Sequence, residues 1–154
     1  MYNITVSEEI KKACPVFKGA AVYAEVTNSA FSQGLWDEIN AFTKELTTTT
    51  QPDDIKQHPA IAATREVYKR CGKDPSRYRP SAEALRRRLM RGLELYRIDT
   101  LVDLINLVSL RTGYSIGGFV LRLPLATRTS ALLLRASCPE KQLVRLFQWA
   151  ILTH

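Results

Sequence analysis

Residues 72–92, GKDPSRYRPSAEALRRRLMRG, hold seven basic residues against two acidic ones. Clustered guanidinium groups neutralise phosphate, and the affinity they give falls with salt, by about 0.9 in log K per log unit of salt for each phosphate neutralised on duplex and by less on single strands. On this reading Arg77, Arg79, Arg86, Arg87, Arg88 and Arg91 are the RNA contacts, and Tyr78 and Tyr96 are the rings on which unpaired bases stack. The competing reading is a solvated helix face beside a loop anchored by partly buried tyrosines. Charge alone does not separate the two.

The net charge of +7 points towards polyanions, nucleic acid or an acidic membrane surface, and speaks to association rather than fold. Other chemistry has little to work with. With two histidines, His58 and His154, the chain offers no metal-ligand spacing and no Ser-His-Asp set. It has no Gly-rich phosphate loop either, so neither a metal nor a cofactor is expected. Cys14, Cys71 and Cys138 are odd in number and far apart, as suits a reducing compartment. No run reaches the roughly 18 to 20 apolar residues of a membrane span, and the N-terminus has no signal core, so a cytoplasmic protein without a membrane partner is expected.

A single core must position the basic stretch, and 154 residues at 45% hydrophobic content suffice for one domain. Residues 3–6 read as a short strand, and Ser7 caps a helix that stops before Pro15. Residues 17–26, built on GAAVYAEV, read as a largely buried strand. Leu35, Ile39, Phe42 and Leu46 predict an amphipathic helix over 32–46, ended by the threonine run. His58, read as a cap or a solvent-exposed side chain, precedes a helix over 60–71 with Ile61, Tyr68 and Cys71 available for packing and Gly72 as its left-handed cap. The next helix runs from an N-cap at Ser81 to Gly92, with Ala82, Leu85 and Leu89 inward, Arg87 and Arg91 outermost, and Glu83 paired with Arg87.

Residues 99–112 are apolar around nearly the whole circumference, which predicts a core helix buried on several sides. Its polar exceptions Asp103 and Asn106 lie three apart and project from one side. A buried carboxylate needs a partner, and Arg77 or Arg79, turned inward, is the expected one.

Three segments then resemble the B3/B4 domain of the phenylalanyl-tRNA synthetase β subunit, and more closely the stand-alone proteins built from that domain. The string Gly-any-Asp-Pro-Ser-any-Tyr-Arg-Pro-Ser is matched by Gly72, Asp74, Pro75, Ser76, Tyr78, Arg79, Pro80 and Ser81. The core-helix pattern is matched by Ile98, Val102, Asp103, Asn106 and Leu110, and SIGGF ending at Phe119 follows. The resemblance implies an α+β fold, with a sandwich-like β-sheet core packed by helices, and an association with tRNA or other structured RNA. In the synthetase it also implies a pocket that hydrolyses mischarged tRNA. The corresponding pocket residues here are Asp103, Asn106, Gly117, Gly118 and Phe119. Where the synthetase has a His-Ala-Phe-Asp string, this chain has Gly117, Gly118, Phe119 and Val120, so the imidazole and the carboxylate are both missing.

The likeness stops at Phe119. Residues 120–154 contain no glycine, nine leucines and five basic residues against one acidic; 5 − 1 gives +4, more than half of the net charge. The reading favoured is a B3/B4-like domain over 1–119, incomplete at its C-terminus, followed by a divergent tail over 120–154 from a shifted reading frame. A genuine divergent terminus and a truncation with replacement are the alternatives. The tail lacks strand alternation and turn signals, and a helix over about 139–152, with Leu143, Leu146, Phe147, Ala150 and Ile151 on one face, is left open.

Three functions follow. The first is an RNA-binding module whose activity the tail impairs. The second is a trans-acting editing hydrolase, with the Gly117 and Gly118 amides stabilising the oxyanion. The third is a fragment without a function of its own, whose exposed strand edges favour self-association.

Overall fold

The structure, a computed structural model, describes residues 5–121 and 143–152. Among these, five helices and three strands follow in the order α1 (Glu8–Ala13), β1 (Lys18–Thr27), α2 (Gln33–Thr49), α3 (Pro59–Arg70), α4 (Ser81–Met90), α5 (Thr100–Thr112), β2 (Ile116–Leu121) and β3 (Leu143–Leu152). A 3-10 turn at Asp54–Gln57 leads into α3. The α+β class is as expected.

Local chemistry explains most boundaries. Ser7 and Ser32 accept hydrogen bonds from the Ile10 and Leu35 amides and so start α1 and α2. The threonine run does not stop α2 where expected. Thr47, Thr48 and Thr49 return their hydroxyls to the carbonyls of Thr43, Lys44 and Glu45, so each finds its partner inside the helix, which runs on to Thr49. Gly72, Gly92 and Gly113 all have φ near +73° and end α3, α4 and α5. At the first two the pattern is a Schellman motif: Gly72 N–H donates to Lys69 O and Lys73 N–H to Tyr68 O, and Gly92 and Leu93 repeat this with Leu89 and Arg88.

Helices build the main core. Trp36, Ile39 and Leu46 of α2 meet Leu89 of α4, Leu107 and Leu110 of α5, and Leu95 from the intervening loop. Each such side chain contributes about 1.5–3 kcal/mol when fully buried. A second cluster joins Ile55, Ile61 and Ala82 where α3 and the 3-10 turn meet α4. In α3 the buried stripe is Ile61, Thr64 and Val67, while Cys71 is exposed.

The strands form one antiparallel sheet in the order β1-β3-β2. β3 lies in the middle, with Lys18 opposite Leu152 and Thr27 opposite Leu143 on one side, and Ile116 opposite Ala150 on the other. The reading of the tail is therefore corrected: residues 143–152 are a strand, not a helix. The physical reason is in LVRLFQWAIL, rich in Val, Phe, Trp and Ile, together with two strands whose backbone groups need a partner.

Three further expectations change. Thr5 and Val6 are not strand, and residues 3–4 lie outside the described residues. β1 is exposed along residues 18–23: Gly19, Ala20 and Ala21 offer little apolar area to cover, and Val22 and Tyr23 are left 54% and 47% exposed. α5 is buried on one side: Leu104 and Val108 remain 47% and 36% exposed, since α2 and α4 pack only against the side that carries Leu107 and Leu110.

Candidate nucleic-acid interface

The basic stretch is built on α4, whose inward face differs from the expected one. Ala82, Glu83, Arg86 and Leu89 are buried, Leu85 is half-buried, and Pro80 rather than Ser81 occupies the N-cap position, without a side-chain cap. Glu83 and Arg86 turn inward because partners await them. The Glu83 carboxylate, fully buried, accepts from Arg65 Nη1 at 2.8 Å and from Arg87 Nε at 2.8 Å. Two guanidinium groups on one carboxylate satisfy both of its oxygens.

Arg65 also donates to the carbonyl of Pro75 at 3.2 Å, which ties the loop before α4 to this ion triad. Within the loop the Ser76 amide donates to Asp74 Oδ1, the Tyr78 amide donates to Asp74 O, and Pro75 is buried. These bonds hold the backbone of the turn. The loop carries Tyr78, 48% exposed, between Lys73 (Nζ 4.9 Å from the ring centre) and Arg77 (5.6 Å).

Asp103 is not paired with Arg77 or Arg79, both of which are exposed. That expectation is corrected. Trp36 Nε1 donates to Asp103 Oδ2 at 2.7 Å, and the Ile98 amide approaches Oδ1 at 3.4 Å. Burial pushes the Asp103 carboxyl above its ordinary range, and these two hydrogen bonds oppose the shift. Arg97 stands nearby over the Trp36 ring, 4.6 Å from its centre. The apolar stripe of α2, read as Leu35, Ile39, Phe42 and Leu46, passes over Trp36, so sequence reading misses the indole that serves the carboxylate. Its neighbour in that stripe, Phe42, is half-buried against the cluster that contains Trp36.

The six arginines separate into three groups. Arg86 is corrected as a phosphate contact: it is 6% exposed, and its Nη2 donates to Leu110 O at 2.6 Å, closing the C-terminal end of α5. Desolvation lowers its pKa from the usual arginine value. Arg87 is half-buried on Glu83 rather than outermost. Arg88 donates to Glu94 O at 2.6 Å and to Tyr96 Oη at 3.0 Å, with its guanidinium 3.9 Å from the Tyr96 ring centre. Arg77, Arg79 and Arg91 are exposed. Sequence reading missed Arg65 and Arg97; the clue for Arg97 is its place between Tyr96 and Ile98, at the start of the core-helix pattern.

The candidate pocket residues are not brought together by hydrogen bonding. Asn106 is half-buried, and its side chain has no hydrogen-bond partner among the described residues. Gly117 and Gly118 lie in β2 opposite Trp149 and Gln148 of β3, and Phe119 pairs with Phe147 along the backbone. Neighbouring amides on a strand point in opposite directions, so Gly117 and Gly118 do not converge on one oxyanion.

His58 is neither a side-chain cap nor free in solvent. It is half-buried against Gly113, where any Cβ would collide with the imidazole. Its Nδ1 makes no hydrogen bond among the described residues. Desolvation, and then the charge of Arg86, lower its pKa.

Among the described residues no three of His, Cys, Asp and Glu converge as a metal site, and no helix is long and apolar enough to cross a membrane. Fold and surface define a mixed α+β domain whose basic loop and helix are fixed from behind by buried ion pairs. Residues 63–123 match the B3/4 domain family, a domain found in phenylalanyl-tRNA synthetase β subunits, and the match bears out the resemblance that the sequence motifs carry. It covers most of α3, the Gly72–Ser81 loop, α4, α5 and β2. No curated protein and no solved structure matches the chain.

Proposed function

We propose that the chain is an RNA-binding module of the tRNA-associated kind, with tRNA or another structured RNA as its partner. Arg77, Arg79 and Arg91 take phosphate, and Tyr78 and Tyr96 stack on unpaired bases. The observation that carries this reading is Tyr96: it is 65% exposed, with Arg88 held over its ring and Arg91 exposed five residues before it. An exposed ring backed by a fixed cation is a poor candidate for core packing and a good platform for a base.

The test is a tRNA titration at two salt concentrations. Binding weakens as salt rises, and Arg91→Ala lowers the slope of log K against log salt by about 1. Tyr96→Ala weakens binding by about 1–3 kcal/mol. No saturable binding at low salt, or unchanged affinity in both variants, would sink the proposal. Turnover of mischarged tRNA in the same preparation would favour the editing hydrolase instead.

A further inference from the structure

A groove of about 770 Å³ lies between α1, β1, α3 and the Gly72–Ser81 loop. Its volume is in the range of small-molecule sites, roughly 300–1,000 Å³. Val6, Ile10, Phe17 and Val67 give it apolar walls, and Gly19, Ala20 and Ala21 keep one side open by offering only small groups. None of the arginines assigned above to phosphate lines it.

Polar chemistry enters at one end. Lys73 and Tyr78 come from the Gly72–Ser81 loop, where the Schellman bond from Lys73 N–H to Tyr68 O and the bond from Tyr78 N–H to Asp74 O hold the backbone at both positions. Lys73 is the one charged side chain among the described residues that line the groove, and no carboxylate accompanies it. Apolar walls with one cation and no carboxylate among the described lining residues favour an anion over a cation.

We propose that this groove binds a small monoanion with an aromatic or branched aliphatic body. The body lies against Val6, Ile10, Phe17 and Val67, and the anionic head faces Lys73 beside the Tyr78 ring. The inference does not rest on the RNA reading, and the RNA contacts can fail without affecting it.

Naphthalene-2-sulfonate and its neutral analogue naphthalene-2-sulfonamide test it by calorimetric titration. The sulfonate binds the wild-type chain about fivefold more tightly, as one exposed charge contact contributes. Lys73→Gln removes that preference and leaves the sulfonamide affinity unchanged. Ala20→Trp and Ala21→Trp, made separately, send their rings to opposite faces of β1, and the one whose ring enters the groove reduces binding of both probes while the other serves as its control. Because a filled groove can also disturb folding, alkylation of Cys71 gives a second readout. Cys71 lines the groove and is exposed, whereas Cys14 is buried. In a Cys138→Ser background the sulfonate slows iodoacetamide labelling of Cys71. Absence of saturable binding, equal affinity for both probes in the wild type, or binding that leaves Cys71 unprotected would overturn the proposal.

Discussion

Trp36 and Asp103, 67 residues apart in sequence, are joined by an indole-to-carboxylate hydrogen bond of 2.7 Å where α2 packs on α5. The bond answers the question that a carboxylate in an apolar helix poses. Trp36→Phe keeps an aromatic ring and removes the donor, which leaves Asp103 with the weaker 3.4 Å approach of the Ile98 amide. We expect a loss of about 1–3 kcal/mol in urea unfolding at neutral pH. The native pKa of Asp103 is raised above 3.8, so the folded state holds this proton more readily than the unfolded state. Stability from this residue therefore increases as pH falls through the native value towards 3.8, and the variant raises that native value further. The loss is accordingly smaller near pH 4.5 than near pH 7. Equal losses at both would exclude an ionised Asp103 as the cause.

His58 has the opposite sign. Its native pKa lies below 6.5, so the unfolded state takes up the proton first. The stability it contributes is complete above pH 6.5 and is lost as pH falls from there through the native pKa. His58→Gln flattens this part of the stability profile, measured by denaturant midpoints between about pH 7 and pH 5. A wild-type profile with no slope in that interval contradicts the assignment.

Glu83→Gln tests the ion triad behind the basic loop. Arg65 and Arg87 each lose a charged partner, but both guanidinium groups reach solvent, at 19% and 27% exposure, so the cost is below that of a fully buried pair. We expect about 2 kcal/mol. The Arg65 contact to Pro75 O loosens with it, so amide exchange accelerates across the Asp74–Tyr78 turn more than in α2. Uniform acceleration throughout the domain would argue against a local tie.

Much of this arrangement is legible because it is encoded over short distances. The Ser7 cap of α1, the left-handed glycines at 72 and 92 and the Glu83–Arg87 pair all depend on residues within a few positions of one another. What escapes the sequence depends on contacts distant along the chain. Asp103 needs a donor, and sequence reading points to Arg77 or Arg79 because they are near; only the packing of α2 on α5 brings Trp36 to it. Arg86 reads as one arginine of three in a solvated row until the end of α5 places the Leu110 carbonyl 2.6 Å away. The segment of β3 admits a helix because Leu143, Leu146, Phe147, Ala150 and Ile151 share one helical face, while the strand form depends on β1 and β2 being present.

Arg86 and Arg91 separate stability from binding. Arg86→Ala leaves Leu110 O without its buried donor and costs about 1–3 kcal/mol, with no change in the salt slope of RNA binding. Arg91→Ala falls at an exposed position and changes stability by less than about 0.5 kcal/mol while lowering that slope. Thermal melts and tRNA titrations on the same two preparations read both quantities. A fall in the salt slope for Arg86→Ala would return this arginine to the phosphate-contacting set.

The central place of β3 makes the tail testable as a part of the fold. Gln148 lies opposite Val22 on one side and Gly118 on the other, so its backbone is inside the sheet. Proline there removes a ladder donor and imposes a φ that a central strand does not favour. Gln148→Pro is expected to destabilise the chain by about 2 kcal/mol or more and to release β1 and β2 together, seen as a joint loss of amide protection over residues 18–27 and 116–121. Thr5→Pro, at an exposed position outside any helix or strand, is the control and leaves the midpoint unchanged. If both variants unfold alike and the two strands keep their protection in Gln148→Pro, residues 143–152 do not hold the sheet together, and the domain is stable through its helices alone.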